Sequence, residues 1–258
     1  MRRNAVITGS TSGIGLAIAE AMAGEGMNIT LNGFGDRDNI EQLRGRIASD
    51  HGVQVIYSAA DVSKPDQIKG MLSESEHAFG QVDVLVNNAG IQHVASIEEF
   101  PPEKWDAILA INLTAAFHTT RQVIGGMKQR GWGRMINIAS AHALVGSPNK
   151  SAYIAAKHGL IGLTRTVALE AATSGVTANA ICPGYVRTAL VEQQIQELAK
   201  TEGITEEEAA RDIVLEPQPI RRFVETEEVA ALAVFLCSDT AAAVTGAALP
   251  VDGGWTAQ

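Results

Sequence analysis

The sequence predicts a doubly wound α/β fold with a seven-stranded parallel sheet and a small helical insertion. Three observations lead there. Seven short runs rich in Val, Ile, Leu and Ala alternate with longer segments of helical period along the 258 residues. The short runs are continuously apolar, as strands covered on both faces are. A glycine-rich turn joins the first such run to the first helical segment. Repeated βα units of this kind require right-handed crossovers and hence a parallel sheet.

The elements follow in order. Ala5-Val6-Ile7 is the first strand, and an alanine-rich helix covers Ile14 to Gly24. Asn28 to Asn32 is the second strand, followed by a polar helix near 37–50 and the strand Gln54 to Tyr57. A helix over about 65–79 leads into the strand Val82 to Asn87. One long helix is expected over roughly 103–130, then the strand Arg134 to Ile138 and a helix over about 151–173. Thr177 to Ile181, a helix near 226–237 and a last strand at Ala248 to Val251 complete the pattern. No Pro/Ser-rich linker interrupts it, so a single domain over 1–258 is expected. The segment 187–224 departs from the rhythm with two polar helices. Thr205 before Glu206, Glu207 and Glu208 is an N-cap with acids in the first turn, where the helix dipole favours them. Glu216-Pro217-Gln218-Pro219 ends the second of these helices. An insertion at the carboxyl end of a strand lies where such sheets bind ligands, and it is a candidate lid.

Composition narrows the function. Hydrophobic residues make up 46% and charged residues 19%, enough apolar surface for a large core and too much for disorder. The net charge of -9 argues against nucleic-acid binding, which needs cationic surface, and requires local positive charge wherever an anion binds. Cys182 and Cys237 are too few for a disulfide framework or a zinc site and fit a reducing compartment. No ligand cluster marks a metal. No run of 18 apolar residues suggests a membrane span, and Met1-Arg2-Arg3-Asn4 leads into a strand rather than a signal peptide. A soluble cytoplasmic protein is expected, with neither membrane nor nucleic acid as partner.

Thr8-Gly9-Ser10-Thr11-Ser12-Gly13-Ile14-Gly15 has the glycines and the position to hold a pyrophosphate on backbone N–H groups at a helix N-terminus. Its spacing is G-x-x-x-G-x-G. Asp61-Val62 and Asn87-Asn88-Ala89-Gly90 each follow a strand, on the edge along which a dinucleotide would run. At the end of the second strand, Asn32-Gly33-Phe34-Gly35-Asp36-Arg37 has no acid directly at the strand end. Phe34 would shape the ribose pocket and Asp36 would repel a 2′-phosphate, against the pull of Arg37, so NAD is expected over NADP.

Tyr153 and Lys157 are one helical turn apart and share a face. A free tyrosine has a pKa of about 10, and lowering it three units takes about 4 kcal/mol. A lysine ammonium roughly 4.5 Å away supplies about 3.7 kcal/mol at an effective dielectric near 20. An oxidised nicotinamide, itself cationic, would add to that, and on this arithmetic electrostatics alone makes Tyr153 a competent acid/base. Ser140, at the carboxyl end of the fifth strand, is placed to bond a reacting carbonyl oxygen.

The glycine turn, Asn87-Asn88-Ala89-Gly90, Asn112, Ser140, Tyr153-x-x-x-Lys157, Cys182-Pro183-Gly184 and Val251-Asp252-Gly253-Gly254 together resemble the short-chain dehydrogenase/reductase family over the whole chain. The resemblance implies a Rossmann-type fold with Tyr153 as general acid/base, Lys157 lowering its pKa and bonding the nicotinamide ribose, and Ser140 holding the substrate oxygen. It also implies a water beside Lys157 held by Asn112. The cofactor would lie on Gly9, Thr11, Ser12, Gly13, Ile14, Gly15, Phe34, Asp61, Val62, Asn88, Ala89 and Gly90, with Tyr153, Lys157, Pro183, Gly184, Val186 and Thr188 at its nicotinamide end. A homotetramer packed through the helices near 103–130 and 151–173 is implied as well.

The substrate must be read elsewhere. Gln92 and His93 follow the Asn-Asn-Ala-Gly turn, His142 lies two residues past Ser140 and Lys150 three before Tyr153, Gln194 lies in the insertion and Trp255 in the tail. A polar, partly cationic set in an acidic chain suggests a small carboxylate. Ile91-Gln92-His93, Ala139-Ser140-Ala141-His142, Asn149-Lys150-Ser151-Ala152-Tyr153, Leu190-Val191-Glu192-Gln193-Gln194-Ile195 and Gly254-Trp255-Thr256 resemble the family's bacterial D-3-hydroxybutyrate dehydrogenase branch. That resemblance implies a carboxylate held by Gln92, His142, Lys150 and Gln194, and oxidation of a 3-hydroxy to a 3-oxo acid with NAD. Tyr185 takes a pocket position where some members carry tryptophan, and Arg221-Arg222 adds two charges near the insertion's end. The alternatives are a reductase of 3-oxoacyl thioesters, a sugar dehydrogenase, or a dinucleotide sensor without turnover.

Overall fold

The structure, a computed structural model, describes residues 2–257. Its seven strands are β1 (Asn4–Ile7), β2 (Asn28–Asn32), β3 (Val55–Ser58), β4 (Val84–Asn87), β5 (Gly133–Ile138), β6 (Val176–Pro183) and β7 (Ala248–Val251). All pair in parallel, in the order β3-β2-β1-β4-β5-β6-β7. Every residue of β1, β4, β5 and β6 is buried, the reason their sequences do not alternate. The chain leaves β1 outward to β2 and β3, then crosses back to β4 on β1's other side. This reversal opens a crevice at the carboxyl ends of β1 and β4, where open α/β sheets bind ligands.

Helices cover both faces. On one, α1 (Gly13–Gly24), α2 (Arg37–His51) and α9 (Thr226–Cys237) share a core with the sheet through Ile18, Met22, Ile47, Val229 and Leu236. On the other, α3 (Pro65–Phe79), α5 (Ala115–Arg130) and α6 (Ser151–Ala171) pack through Ile68, Met71, Val123, Met127 and Val167. A fully buried Ile or Met of this kind is worth roughly 1.5–3 kcal/mol of transfer free energy. A polar ladder crosses the second core: Thr119 Oγ1 donates to Asn87 Oδ1 (2.6 Å), Asn87 Nδ2 to Asn137 Oδ1 (2.8 Å), and Asn137 Nδ2 to Thr164 Oγ1 (2.8 Å). It ties the ends of β4 and β5 to α5 and α6. Cys182 at the end of β6 and Cys237 at the end of α9 are both buried free thiols.

The helix expected over 103–130 is not continuous. It consists of α4 (Pro102–Leu109), a π-helical turn over Ala110–Thr114, and α5. The cause lies outside the helix. Asn112 accepts from Ile91 N and donates to Ile91 O, both at 2.9 Å, and so pins the turn to the loop after β4. A π-bulge takes up the extra residue that this anchorage needs.

The insertion after β6 contains α7 (Ala189–Glu202) and α8 (Glu206–Glu208), the latter running on into a π-helical turn over Ala209–Val214. Thr205 and Glu208 form a reciprocal capping box at the start of α8. Val191, Ile195, Ala199, Ala209 and Val214 give this segment a small core of its own. Its two ends meet in a single parallel bridge between Val186 and Val224. The two arginines near its end have structural partners. Arg222 makes a two-pronged bond to Glu228 (2.7 and 2.9 Å) in the first turn of α9, and Arg221 takes a left-handed φ of 53° in the turn that precedes it. Among the described residues no helix is long and apolar enough to cross a membrane.

Candidate active site

The glycine turn is braced against the loop after β4. The Thr8 hydroxyl accepts from Asn88 N (3.0 Å) and Ala89 N (3.1 Å), and Asn88 Nδ2 donates to the carbonyls of Thr8 and Gly9, both at 2.9 Å. Gly9 has φ +64°, and a Cβ there would sit 2.9 Å from the Ala89 Cα. A Cβ on Gly15 would overlap the Gly9 carbonyl oxygen and the Asn88 amide. Ser12 precedes α1 in an extended conformation and makes no side-chain capping bond, so the first amides of α1 face the crevice. Bare backbone donors at a helix N-terminus suit a pyrophosphate, and the residues present fit a dinucleotide. Asn32 braces the second side of the turn, accepting from Gly9 N at 3.3 Å. Phe34 is 69% exposed on the rim, and Asp36 caps α2 by accepting from Asn39 N at 3.0 Å.

Tyr153 and Lys157 occupy the first turns of α6, beneath the end of β5. Lys157 Nζ donates to the Ile138 carbonyl at 2.7 Å and stands 5.5 Å from the centre of the Tyr153 ring. Ser140 ends the same strand, and its Oγ accepts from His142 N at 3.2 Å. The shared face read from the i, i+4 spacing is present, and burial opposes the acidity derived from it. Burial pushes the Tyr153 phenol up to about 12, against a smaller downward pull from the Ser140 hydroxyl. The same burial brings Lys157 down to about 8. Spacing reports the neighbouring lysine; it does not report the desolvation of the phenol.

The other end of the crevice is built from side chains. Gln194 Nε2 on α7 donates to Gln92 Oε1 at 3.0 Å, and Lys150 Nζ donates to the Tyr185 hydroxyl at 3.3 Å. The Tyr185 and Trp255 rings stack at 5.2 Å and 10°. His142 meets Trp255 edge-on at 4.9 Å and Tyr185 at 6.3 Å. Burial, helped by the Lys150 charge, pushes the His142 imidazole down to about 3, and burial pushes the Lys150 ammonium down to about 8. Near neutral pH the site therefore holds a neutral imidazole beside a charged amine. Gln92 Nε2 and His142 Nε2 are buried without a partner. Such orphaned groups cost free energy until an acceptor arrives.

These parts enclose one cavity of about 420 Å³. Its wall includes Gly9, Thr11, Ser12, Gly13, Ile14, Phe34, Asp61, Val62, Asn88, Ala89 and Gly90 at one end. Ser140, Tyr153, Lys157, Pro183, Gly184, Val186 and Thr188 follow, then Gln92, His142, Lys150, Tyr185, Gln194 and Trp255. Gly15, Asn112 and His93 are among the residues singled out in the sequence that do not reach it. Gly15 supports the turn from behind, Asn112 is committed to Ile91, and His93 packs edge-on against Phe100 at 5.5 Å. Ile91, Ile138 and Val191 line the cavity without having been singled out. Val191 stands three residues before Gln194 on α7, a spacing that places both on one helix face.

The comparisons agree with this geometry. The family described as enoyl-(acyl carrier protein) reductase matches residues 9–256. A D-beta-hydroxybutyrate dehydrogenase of Rhizobium meliloti is 55% identical, covering 100% of both chains. One from Cupriavidus necator is 57% identical over 99% of this chain and 98% of its own. A crystal structure of an actinorhodin polyketide ketoreductase variant with NADPH superposes with a TM-score of 0.93 at 36% identity, covering 100% of this chain and 98% of that one. Full-length identity above one half, together with a doubly wound sheet that gathers the glycine turn, Ser140, Tyr153 and Lys157 around one crevice, establishes that this chain belongs to the short-chain dehydrogenase/reductase family.

Proposed function

We propose that the protein is an NAD-dependent dehydrogenase that interconverts D-3-hydroxybutyrate and acetoacetate. The observation that carries this reading is the pair of buried, unpartnered nitrogens Gln92 Nε2 and His142 Nε2 in the cavity that Lys150 also lines. Two hydrogen-bond donors and a cation in a largely desolvated pocket match a free carboxylate and match a neutral thioester poorly. The neutral imidazole tautomer protonated at Nε2 makes that nitrogen a donor.

Bound NAD would accept the hydride that leaves C3 of the substrate and would add a positive charge to the crevice. Ser140 holds the substrate oxygen, and Tyr153 takes the hydroxyl proton as the carbonyl forms, returning it in the reverse direction. Burial raises the Tyr153 phenol, and the Lys157 ammonium together with the cationic nicotinamide would oppose that and favour the phenolate. Gln92, His142, Lys150 and Gln194 orient the carboxylate, and residues 187–224 serve as the lid, with α7 carrying Val191 and Gln194 to the cavity wall.

NAD is favoured over NADP because Asp36 stands at the end of the second-strand turn with Phe34 on the rim. The protein acts in the cytoplasm as a homotetramer. Support comes from two buried free thiols, and from Phe117 on α5 and Leu169 on α6, 45% and 80% exposed, which offer apolar surface for packing. The test is the initial rate of NADH formation from D- and L-3-hydroxybutyrate at mildly alkaline pH, with NADP in a parallel arm. Turnover confined to the D-isomer with NAD is expected. No turnover of either isomer by protein that still binds NADH overturns the substrate. A monomer mass by light scattering at micromolar concentration overturns the tetramer.

A further inference from the structure

Lys150 is the cation of the carboxylate pocket, yet among the described residues no carboxylate pairs with it. Its ammonium donates to the Tyr185 hydroxyl at 3.3 Å. The tyrosine is held on every side. Its ring stacks on Trp255, its backbone N–H donates to Gln218 Oε1 at 2.9 Å, and its carbonyl accepts from Val224 N at 2.9 Å. Gln218 is itself fully buried and donates to the Arg222 carbonyl. The left-handed turn at Arg221, whose N–H donates to the Gln218 carbonyl at 2.8 Å, brings that carbonyl into place. The phenol is thus a fixed point, whereas the lysine stem is long and flexible.

We infer that the Tyr185 hydroxyl is a positioning group for Lys150, which makes Tyr185 a determinant of selectivity for a free carboxylate. This inference rests on the substrate reading above. Holding the ammonium in place before binding removes part of the ordering cost that the substrate would otherwise meet. Burial raises the Tyr185 phenol, so it keeps its proton while its oxygen accepts from Lys150. The hydroxyl hydrogen then remains for an acceptor in the pocket. The titratable groups facing Lys150 are Tyr185, His142 and Tyr153. His142 is pushed down to about 3 and Tyr153 up to about 12, so both are neutral around pH 8, where Lys150 itself titrates.

Tyr185→Phe keeps the ring and its stack on Trp255 and removes only the oxygen. The expected result is a rise of about fivefold in KM for D-3-hydroxybutyrate, about 1 kcal/mol, with a much smaller change in kcat. The inhibition constant of acetate, a bare carboxylate, rises by the same factor. The methyl ester of the substrate, which offers no charge to Lys150, shows no matching loss. An acceptor on the ammonium favours its charged form, so removing it shifts the alkaline rise in KM to lower pH. In a Lys150→Met background, Tyr185→Phe adds less than a twofold effect. An unchanged KM and acetate constant in Tyr185→Phe overturns the inference, as does an equal loss for acid and ester. Wild-type protein that turns over no 3-hydroxybutyrate and is not inhibited by acetate overturns the substrate reading instead.

Discussion

The two ends of the crevice are made by different means. The cofactor end is backbone: Gly9, Gly13 and the free amides of α1, braced by Thr8, Asn32 and Asn88 through bonds to main-chain atoms. The substrate end is side chains from segments far apart in sequence, where Gln92 meets Gln194 across 102 residues and Lys150 meets Tyr185 across 35. A backbone cradle this tight around Gly9 and Gly15 tolerates little variation in shape. A side-chain cage is changed one residue at a time. This division lets one fold keep its hydride chemistry while its substrates differ.

Four measurements would break or sharpen that contrast. The largest effect is expected at the boundary between the two ends. Tyr153→Phe should lower kcat by about a thousandfold or more while leaving NADH affinity, read by fluorescence titration, within a few-fold. Equal loss of binding would mean that the tyrosine belongs to the cradle. Gly15→Ala strikes the cradle alone. Forcing a Cβ into the Gly9 carbonyl costs about 1–3 kcal/mol, or roughly ten- to a hundredfold in NADH affinity. Intact affinity would show that the turn has slack.

The third measurement concerns the cage under acid. His142 accepts its proton only near pH 3 when folded but near 6.5 when unfolded, so the unfolded chain binds more protons between these values. Stability is then present above pH 6.5 and is lost as pH falls, about 2 kcal/mol of it by pH 5. Denaturant titrations of wild type and His142→Gln at pH 7 and 5 should show a smaller acid loss in the variant. Parallel losses would place the acid sensitivity elsewhere. The smallest effect is expected one layer out. Asp252 holds the Trp255 turn by accepting from Gly254 N (3.0 Å), Thr256 N (2.9 Å) and Thr256 Oγ1 (2.6 Å). Asp252→Ala should raise substrate KM about three- to fivefold, the worth of about one hydrogen bond, with cofactor affinity unchanged. A change in cofactor affinity instead would show that the two ends are mechanically linked.

The same contrast decides what the sequence discloses. The strands and the glycine turn are local patterns: the apolar runs of β1, β4 and β5 and the turn at Gly9 to Gly15 can be read without knowing what lies opposite them. The third strand sits one residue later than its apolar run suggests, and β6 runs longer, to Pro183. The break at Ala110–Thr114 leaves no local trace, because the bond that makes it belongs to Ile91. Gln218, deep under Tyr185, lies in a stretch that reads only as the end of a polar helix. The burial of the Tyr153 phenol is hidden from the sequence for a related reason. Coulomb attraction follows from residue spacing, while desolvation depends on everything packed around the ring.

The two buried cysteines turn the folded chain into a pair of clocks. Burial pushes Cys182 up to about 11 and Cys237 up to about 12. At pH 8 fewer than about one in a thousand of either thiol is the reactive thiolate, and neither is open to reagent. Alkylation thus counts openings of the structure rather than intrinsic reactivity. Cys182 lies at the crevice end of β6, while Cys237 lies at the far edge, its carbonyl facing Arg3 just ahead of β1. Occupied by cofactor, the chain should slow the first clock more than the second wherever the crevice opens on its own, and slow both equally where only global unfolding exposes them.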